Sequence, residues 1–171
     1  MKLSDSGIRT LKLCEGSVMY NGKHVIYDDR NGLPVAKDTL LPAGATIGYG
    51  HLVKPNEGFR DGITEDVATE LLRNDLLIAE RAVNNTVLVE LIQNQFDALV
   101  MLVFNIGARN FANSTVVKYI NNPNFQSTRY PTLGAAWRAW NRTGGAISAG
   151  LIRRRDIELD IYQNGIYALH L

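Results

Sequence analysis

The chain has 171 residues, 46% hydrophobic and 20% charged, with a formal net charge of +1. That length suits one compact domain with its own core, and the composition excludes a disordered chain. So modest a charge, with no stripe of interleaved basic and aromatic residues, also excludes nucleic acid as the expected partner.

The net charge hides an asymmetry. Residues 1–100 carry ten Lys and Arg against fourteen Asp and Glu, whereas residues 101–171 carry eight against three. A basic C-terminal part suits an anionic wall or lipid surface, and suits an ordinary solvated face equally well. Cys14 is the one cysteine, so no intramolecular disulfide can form, as in a protein made in a reducing cytosol. Its expected role is that of a small buried hydrophobe. No apolar run follows Lys2, and neither a signal peptide nor a membrane anchor is predicted.

Residues 4–14 read as a short amphipathic helix, capped by Ser4 or Asp5 and ended by Gly16. Between 17 and 53 the pattern changes to Val, Ile and Tyr broken by Gly and Pro, the chemistry of short strands and turns. Thr64 caps a helix reaching about Val83, with Glu65 and Asp66 in its first turn. Residues 89–105 are apolar on nearly every face, which predicts a buried core helix stopped by Gly107. Ser114 is placed to cap a helix over Thr115–Asn121. Trp137 and Trp140, three apart, are expected on one face of another short helix, packed in the core, and residues 149–162 form the last. The predicted class is α+β: a small antiparallel β lobe (about 15–63) and a larger helical lobe (about 64–171, with helix 4–14) around a buried central helix, with a cleft between the lobes in a single domain.

Glycoside hydrolysis usually uses two carboxyl groups, one to protonate the leaving oxygen and one to activate water or attack. Glu15 fits the acid role, because a helix C-terminus disfavours a carboxylate anion. Asp28 and Asp29 lie at a turn between predicted strands, and alternation sends them to opposite faces. Thr46-Ile47-Gly48-Tyr49-Gly50-His51 follows, with glycines where a ligand or another backbone can approach closely.

Glu15-Gly16, Tyr27-x-Asp29-x-x-Gly32 and Thr46-Ile47-Gly48-Tyr49-Gly50-His51 resemble the Glu–Asp–Thr signature of phage-type lysozymes, glycoside hydrolase family 24. Phe104-Asn105-Ile106-Gly107, Phe111-x-x-Ser114-Thr115 and Gly150-Leu151-Ile152-Arg153-Arg154-Arg155-x-x-Glu158 extend the resemblance along almost the whole chain. It implies a muramidase cutting the β-1,4 bond between N-acetylmuramic acid and N-acetylglucosamine. Glu15 would be the general acid, Asp29 the carboxylate across the sugar, and Thr46 the holder of the attacking water. The family is similar to inverting enzymes, which implies carboxyls roughly 6.5–9.5 Å apart. Leu52, Phe104, Asn105 and Ser114 match saccharide-lining positions, and an arginine of 153–155, Arg154 by preference, would support Glu15. Ser114 has a simpler reading as a helix cap alone. His51 is expected to be structural, bonded to an acidic partner, and His24, His51 and His170 show no metal-ligand spacing.

The resemblance departs from the family at one point. The common spacing is E-x8-D-x5-T, but here thirteen residues separate Glu15 from Asp29 and sixteen separate Asp29 from Thr46. Longer hairpins would cost little loop entropy. Displacement of Asp29 in favour of Asp28 or Asp38 is the other consequence to weigh, although Asp29 alone keeps the Tyr-x-Asp-x-x-Gly frame. The expanded gaps also admit a catalytically silent wall-binding or phage-structural module, or an enzyme acting on a related polysaccharide such as chitin. Peptidoglycan is the implied substrate, with no cofactor and no metal. A monomer is expected, held in the host cytoplasm until a holin-type membrane partner admits it to the wall at lysis; a virion-borne enzyme is the other possibility.

Overall fold

A computed structural model describes residues 1–167, so His170 lies outside the described residues. Contacts divide the chain into two compact units. One joins Met1–Cys14 to the chain from Leu77 onward, and the other is Glu15–Leu76.

The first unit is helical. Helix α1 spans Asp5–Glu15. Ser4 caps it by accepting from the Gly7 N–H at 3.1 Å. Ser4 in turn donates its hydroxyl and its N–H to the Asp97 carboxylate. Gly7 is required by space, because a Cβ there would meet Leu3 Cδ1 at 2.7 Å. Gly16, at φ +67°, ends the helix directly after Glu15.

Helix α2 runs over Glu65–Thr86, three residues past the expected end. Helix α3, Gln93–Ile106, is the central one, with every residue from Phe96 to Val103 buried. It begins at Gln93 rather than at 89, because two side chains hold the preceding apolar segment outside the helix. Asn121 Oδ1 accepts the Leu88 N–H at 2.8 Å, and Gln95 Oε1 accepts the Ile92 N–H at 3.2 Å. Asp97, in the middle of this apolar run, is fully buried. It also accepts from Gln93 Nε2 at 2.8 Å and from the Tyr167 hydroxyl at 2.7 Å. Four polar partners make that burial tolerable.

Short helices α4 (Ala108–Ala112), α5 (Thr115–Asn121) and α6 (Leu133–Arg138) follow, and α7 covers Ala149–Asn164. Ser114, Thr132 and Ser148 cap α5, α6 and α7 through their hydroxyl oxygens. The expectation for the tryptophans is corrected here. Trp137 is core, but α6 stops at Arg138, so Trp140 lies beyond the helix and is half-buried. A hairpin of Arg142–Thr143 with Ala146–Ile147 begins just after it. Gly144 and Gly145, at φ +55° and +84°, supply the turn that this hairpin needs.

Helix α7 packs along α3. Glu158, fully enclosed, ties several groups together: its Oε1 accepts from Arg155 Nη2 at 2.6 Å and Arg154 Nε at 3.2 Å, and its Oε2 accepts from Trp137 Nε1 at 2.8 Å. Burial pushes this carboxyl above the usual range, and Arg155 and Arg154 pull it back.

The second unit holds the strands. Met19–Tyr20 (β1) and Lys23–His24 (β2) pair through an Asn21-Gly22 turn in which both residues have positive φ. Tyr27–Asp28 (β3), Leu33–Pro34 (β4), Ala45–Ile47 (β5) and His51–Leu52 (β6) form an antiparallel sheet in the order β4-β3-β5-β6. Its core is Ile26, Ala45, Ile47, Val53, Ile63 and Ala68, with Leu71 packed against it. Ala68 and Leu71 come from α2, and for this reason the unit extends to Leu76 instead of stopping before Thr64.

Candidate active site

Five of the residues singled out from the sequence, Glu15, Asp29, Thr46, His51 and Leu52, fall in the sheet unit. Phe104, Asn105, Ser114 and Arg154 fall in the helical unit.

In the sheet unit the arrangement centres on Tyr27. The register sets Tyr27 opposite Thr46, and Thr46 opposite Leu52. Paired positions put their side chains on the same face, so these three form a row across β3, β5 and β6. Burial, reinforced by the negative charges of Asp29 and then Glu15, raises the Tyr27 hydroxyl above its ordinary value. Both carboxylates therefore act on one phenol. Glu15 is half-buried and its Oε1 is closed to solvent, whereas Asp29 is exposed at the start of the β3–β4 turn.

Asp29 and Thr46 meet at Gly44. The Asp29 N–H donates to the Gly44 carbonyl at 3.3 Å, and Thr46 Oγ1 donates to the same oxygen at 2.9 Å. The lengthened 30–45 interval thus returns Thr46 beside β3. Leu52, paired with Thr46, is 60% exposed and open to contact.

The other aspartates are placed differently. Asp28 points to the opposite face and is engaged on both oxygens by Arg30, through Nε at 2.9 Å and Nη2 at 2.6 Å, while the Arg30 N–H donates at 3.0 Å. Arg30 holds its carboxyl down at about 2. A carboxylate so fully engaged has little capacity to take a proton from water. Asp38 is exposed on the loop between β4 and β5, where its charge acts on Lys37. His51 has the acidic partners expected of it: Nδ1 lies 2.9 Å from Asp75 Oδ2 and Nε2 lies 3.1 Å from Glu57 Oε2.

In the helical unit, Asn105 lines a pocket of about 710 Å³ with Asn110, Trp140 and Arg142. Phe104 is half-buried beside it in sequence. Ser114 accepts the Val117 N–H at 3.2 Å and is buried, so its capping role is realised; it also lines a smaller pocket that includes Trp140. Arg154 is buried and donates to Glu158 and to the Met101 carbonyl. Sequence reasoning missed Trp140 and Arg142 as pocket residues, although the Gly144-Gly145 pair signalled the hairpin that brings them there. Among the described residues, no three His, Cys, Asp or Glu side chains gather as a metal site, and no helix is long and apolar enough to cross a membrane.

The chain is similar to known proteins. The family model described as phage lysozyme matches residues 31–158. The endolysin of Salmonella phage P22 is 36% identical over 158 residues, covering 91% of this chain and 94% of that protein. The endolysin of Bacillus phage PZA is 33% identical over 168 residues, or 96% of this chain, which spans only 56% of that relative's length. Among solved structures, the endolysin of Escherichia coli O157:H7 phage FAHEc1 aligns with a TM-score of 0.74 at 31% identity, covering 98% of this chain and 97% of that one.

Proposed function

The chain belongs to the phage lysozyme family, and from that premise we propose that it is a peptidoglycan hydrolase of the endolysin type whose chemistry is carried by Glu15, Asp29 and Thr46. Glu15 donates its proton to the glycosidic oxygen as the bond to the anomeric carbon breaks. Water attacks that carbon from the other side and loses a proton to Asp29. One water is consumed per bond cut, and both carboxyls return to their starting states by exchange with solvent. Thr46 orients the water as an acceptor, because its own proton is engaged by Gly44. The scissile linkage is the β-1,4 bond from N-acetylmuramic acid to N-acetylglucosamine, cut with inversion.

The observation that carries this reading is the fixing of the Asp29 N–H and the Thr46 hydroxyl to one carbonyl, that of Gly44, with Thr46 opposite Tyr27. Leu52 supplies an apolar contact for a sugar ring next to Thr46. Within the helical unit, Phe104, Asn105 and Ser114 are the residues proposed to contact saccharide. Arg154, held by Glu158 and the Met101 carbonyl, is the supporting arginine proposed there.

Soluble glycan strands provide the test. Wild type is expected to release the α-anomer of the new reducing end, seen by proton NMR before mutarotation, and Glu15→Gln to release none. A β-anomer would overturn inversion, and equal turnover by Glu15→Gln would overturn the acid assignment.

We propose that the enzyme is a monomer that accumulates in the host cytoplasm and reaches the wall, where it acts, through a membrane lesion made by a holin-type partner. Fractionation of host cells with and without such a partner checks this, and unaided appearance in the periplasm would contradict it.

A further inference from the structure

The two lengthened intervals, residues 16–28 and 30–45, build one feature. Apart from Arg60 and Asp61, every residue lining a pocket of about 510 Å³ in the sheet unit comes from them. We propose that this pocket binds the peptide of peptidoglycan, taking a short alanine-bearing segment that ends in a carboxylate. The inference rests on the peptidoglycan reading above.

The floor is apolar. Val25, Ile26, Pro34 and Val35 form it, and Ile26 and Val35 are continuous with the core of the unit. An alanine methyl pressed on this floor gives up no hydrogen bond to water. Basic groups stand at the rim. Lys37 Nζ lies 2.7 Å from Asp61 Oδ1, Lys23 Nζ donates to the Asp61 carbonyl at 3.4 Å, and Arg60 donates to the carbonyls of Ala36 and Thr39 at 3.2 and 2.7 Å. These bonds fix the wall in place before any ligand arrives. Three cations face the Asp61 carboxylate and the Asp38 charge that acts on Lys37, so the rim keeps a net positive charge and complements a carboxylate end group.

Position favours the same ligand. Pro34 pairs with Tyr27, and Ile26 immediately precedes it. Extended chain from Ile26 to Asp29 covers about 10 Å. A four-residue peptide hanging from the sugar chain spans roughly 13–14 Å, enough to reach from a glycan at Asp29.

Binding is measured on ¹⁵N-labelled Glu15→Gln protein, which separates it from turnover. The probes are N-acetyl-D-alanyl-D-alanine, its C-terminal amide, inorganic phosphate and phosphatidylglycerol vesicles. Saturable shifts at the amides of Val25, Ile26 and Val35 are expected with the free acid, at least tenfold weaker with the amide. Added Ala36→Trp, which fills the mouth, or Lys23→Glu should each remove them; a native spectrum elsewhere shows that either variant is folded. No saturable shift, an equal response to phosphate, or binding to vesicles alone would each overturn the peptide assignment. With Glu15 restored, wild type should show a several-fold higher kcat/KM on peptide-bearing glycan than on peptide-stripped glycan, and Ala36→Trp should lose that preference alone. Equal loss on both substrates would overturn the proposal. Failure of wild type to cut either glycan would instead overturn the muramidase reading, with the binding result still standing.

Discussion

The Asp29 N–H and the Thr46 hydroxyl donate to one atom, the carbonyl oxygen of Gly44, at 3.3 and 2.9 Å. The proposed base and the proposed water holder are therefore fixed to a common point, and Thr46 has only lone pairs to offer a water. Thr46→Ser keeps this arrangement and should retain most activity. Thr46→Val keeps the shape and loses the oxygen; kcat on soluble glycan strands should fall roughly 10²-fold, with a stability loss of about 1 kcal/mol read from thermal melting.

Tyr27 reports on both carboxylates. Its hydroxyl is raised first by burial, then by Asp29 and Glu15. Removing either negative charge makes the phenolate easier to form. Glu15→Gln and Asp29→Asn should each lower the titration midpoint of ¹³C-labelled Tyr27, followed by NMR. No change in either variant would show that the charges do not converge there.

Asp28 should make stability depend on pH. Arg30 depresses its carboxyl to about 2, so the contribution is complete above the unfolded value of roughly 4. It is lost as pH falls from there through about 2. Arg30→Gln removes the cause of the shift. Its melting temperature should lie below that of wild type by a constant amount above about pH 5, and the two should converge toward pH 2.

Glu158 compensates two buried guanidinium groups. Glu158→Gln leaves Arg155, itself fully enclosed, without its counter-charge, at a cost of about 3–5 kcal/mol. Melting should fall on the order of 10 °C in calorimetry. Trp137→Phe removes one hydrogen bond to the same carboxylate and part of a fully buried ring, and should cost about 2–4 kcal/mol.

Local chemistry made much of this legible in the sequence. The cap at Ser114, the stops at Gly16 and Gly107, and the alternation that separates Asp28 from Asp29 are each decided by one residue and its neighbours. What was hidden depends on distant partners. The start of α3 is set by Asn121, thirty-three residues from the Leu88 whose N–H it accepts. The sheet unit extends into α2 because Ala68 and Leu71 complete a core built from strands. Both lengthened intervals were visible as numbers, but only pairing shows that the second returns Thr46 opposite Tyr27. Asp97, an acid within a run that is apolar on nearly every face, is the anchor of the first turn of α1.

That anchor acts on a lever. Helix α1 is eleven residues long, about 16 Å, with Asp97 gripping Ser4 at one end and Glu15 at the other. A tilt of only ~4° at the grip would swing Glu15, the proposed acid, by about 1 Å, a misplacement that can cost on the order of 10² in rate. Asp97→Asn should accordingly slow glycan cleavage well beyond what its loss of stability explains, measured at a temperature where the variant is fully folded. The direction of the proposed acid would then be set by a buried carboxylate at the far end of its helix.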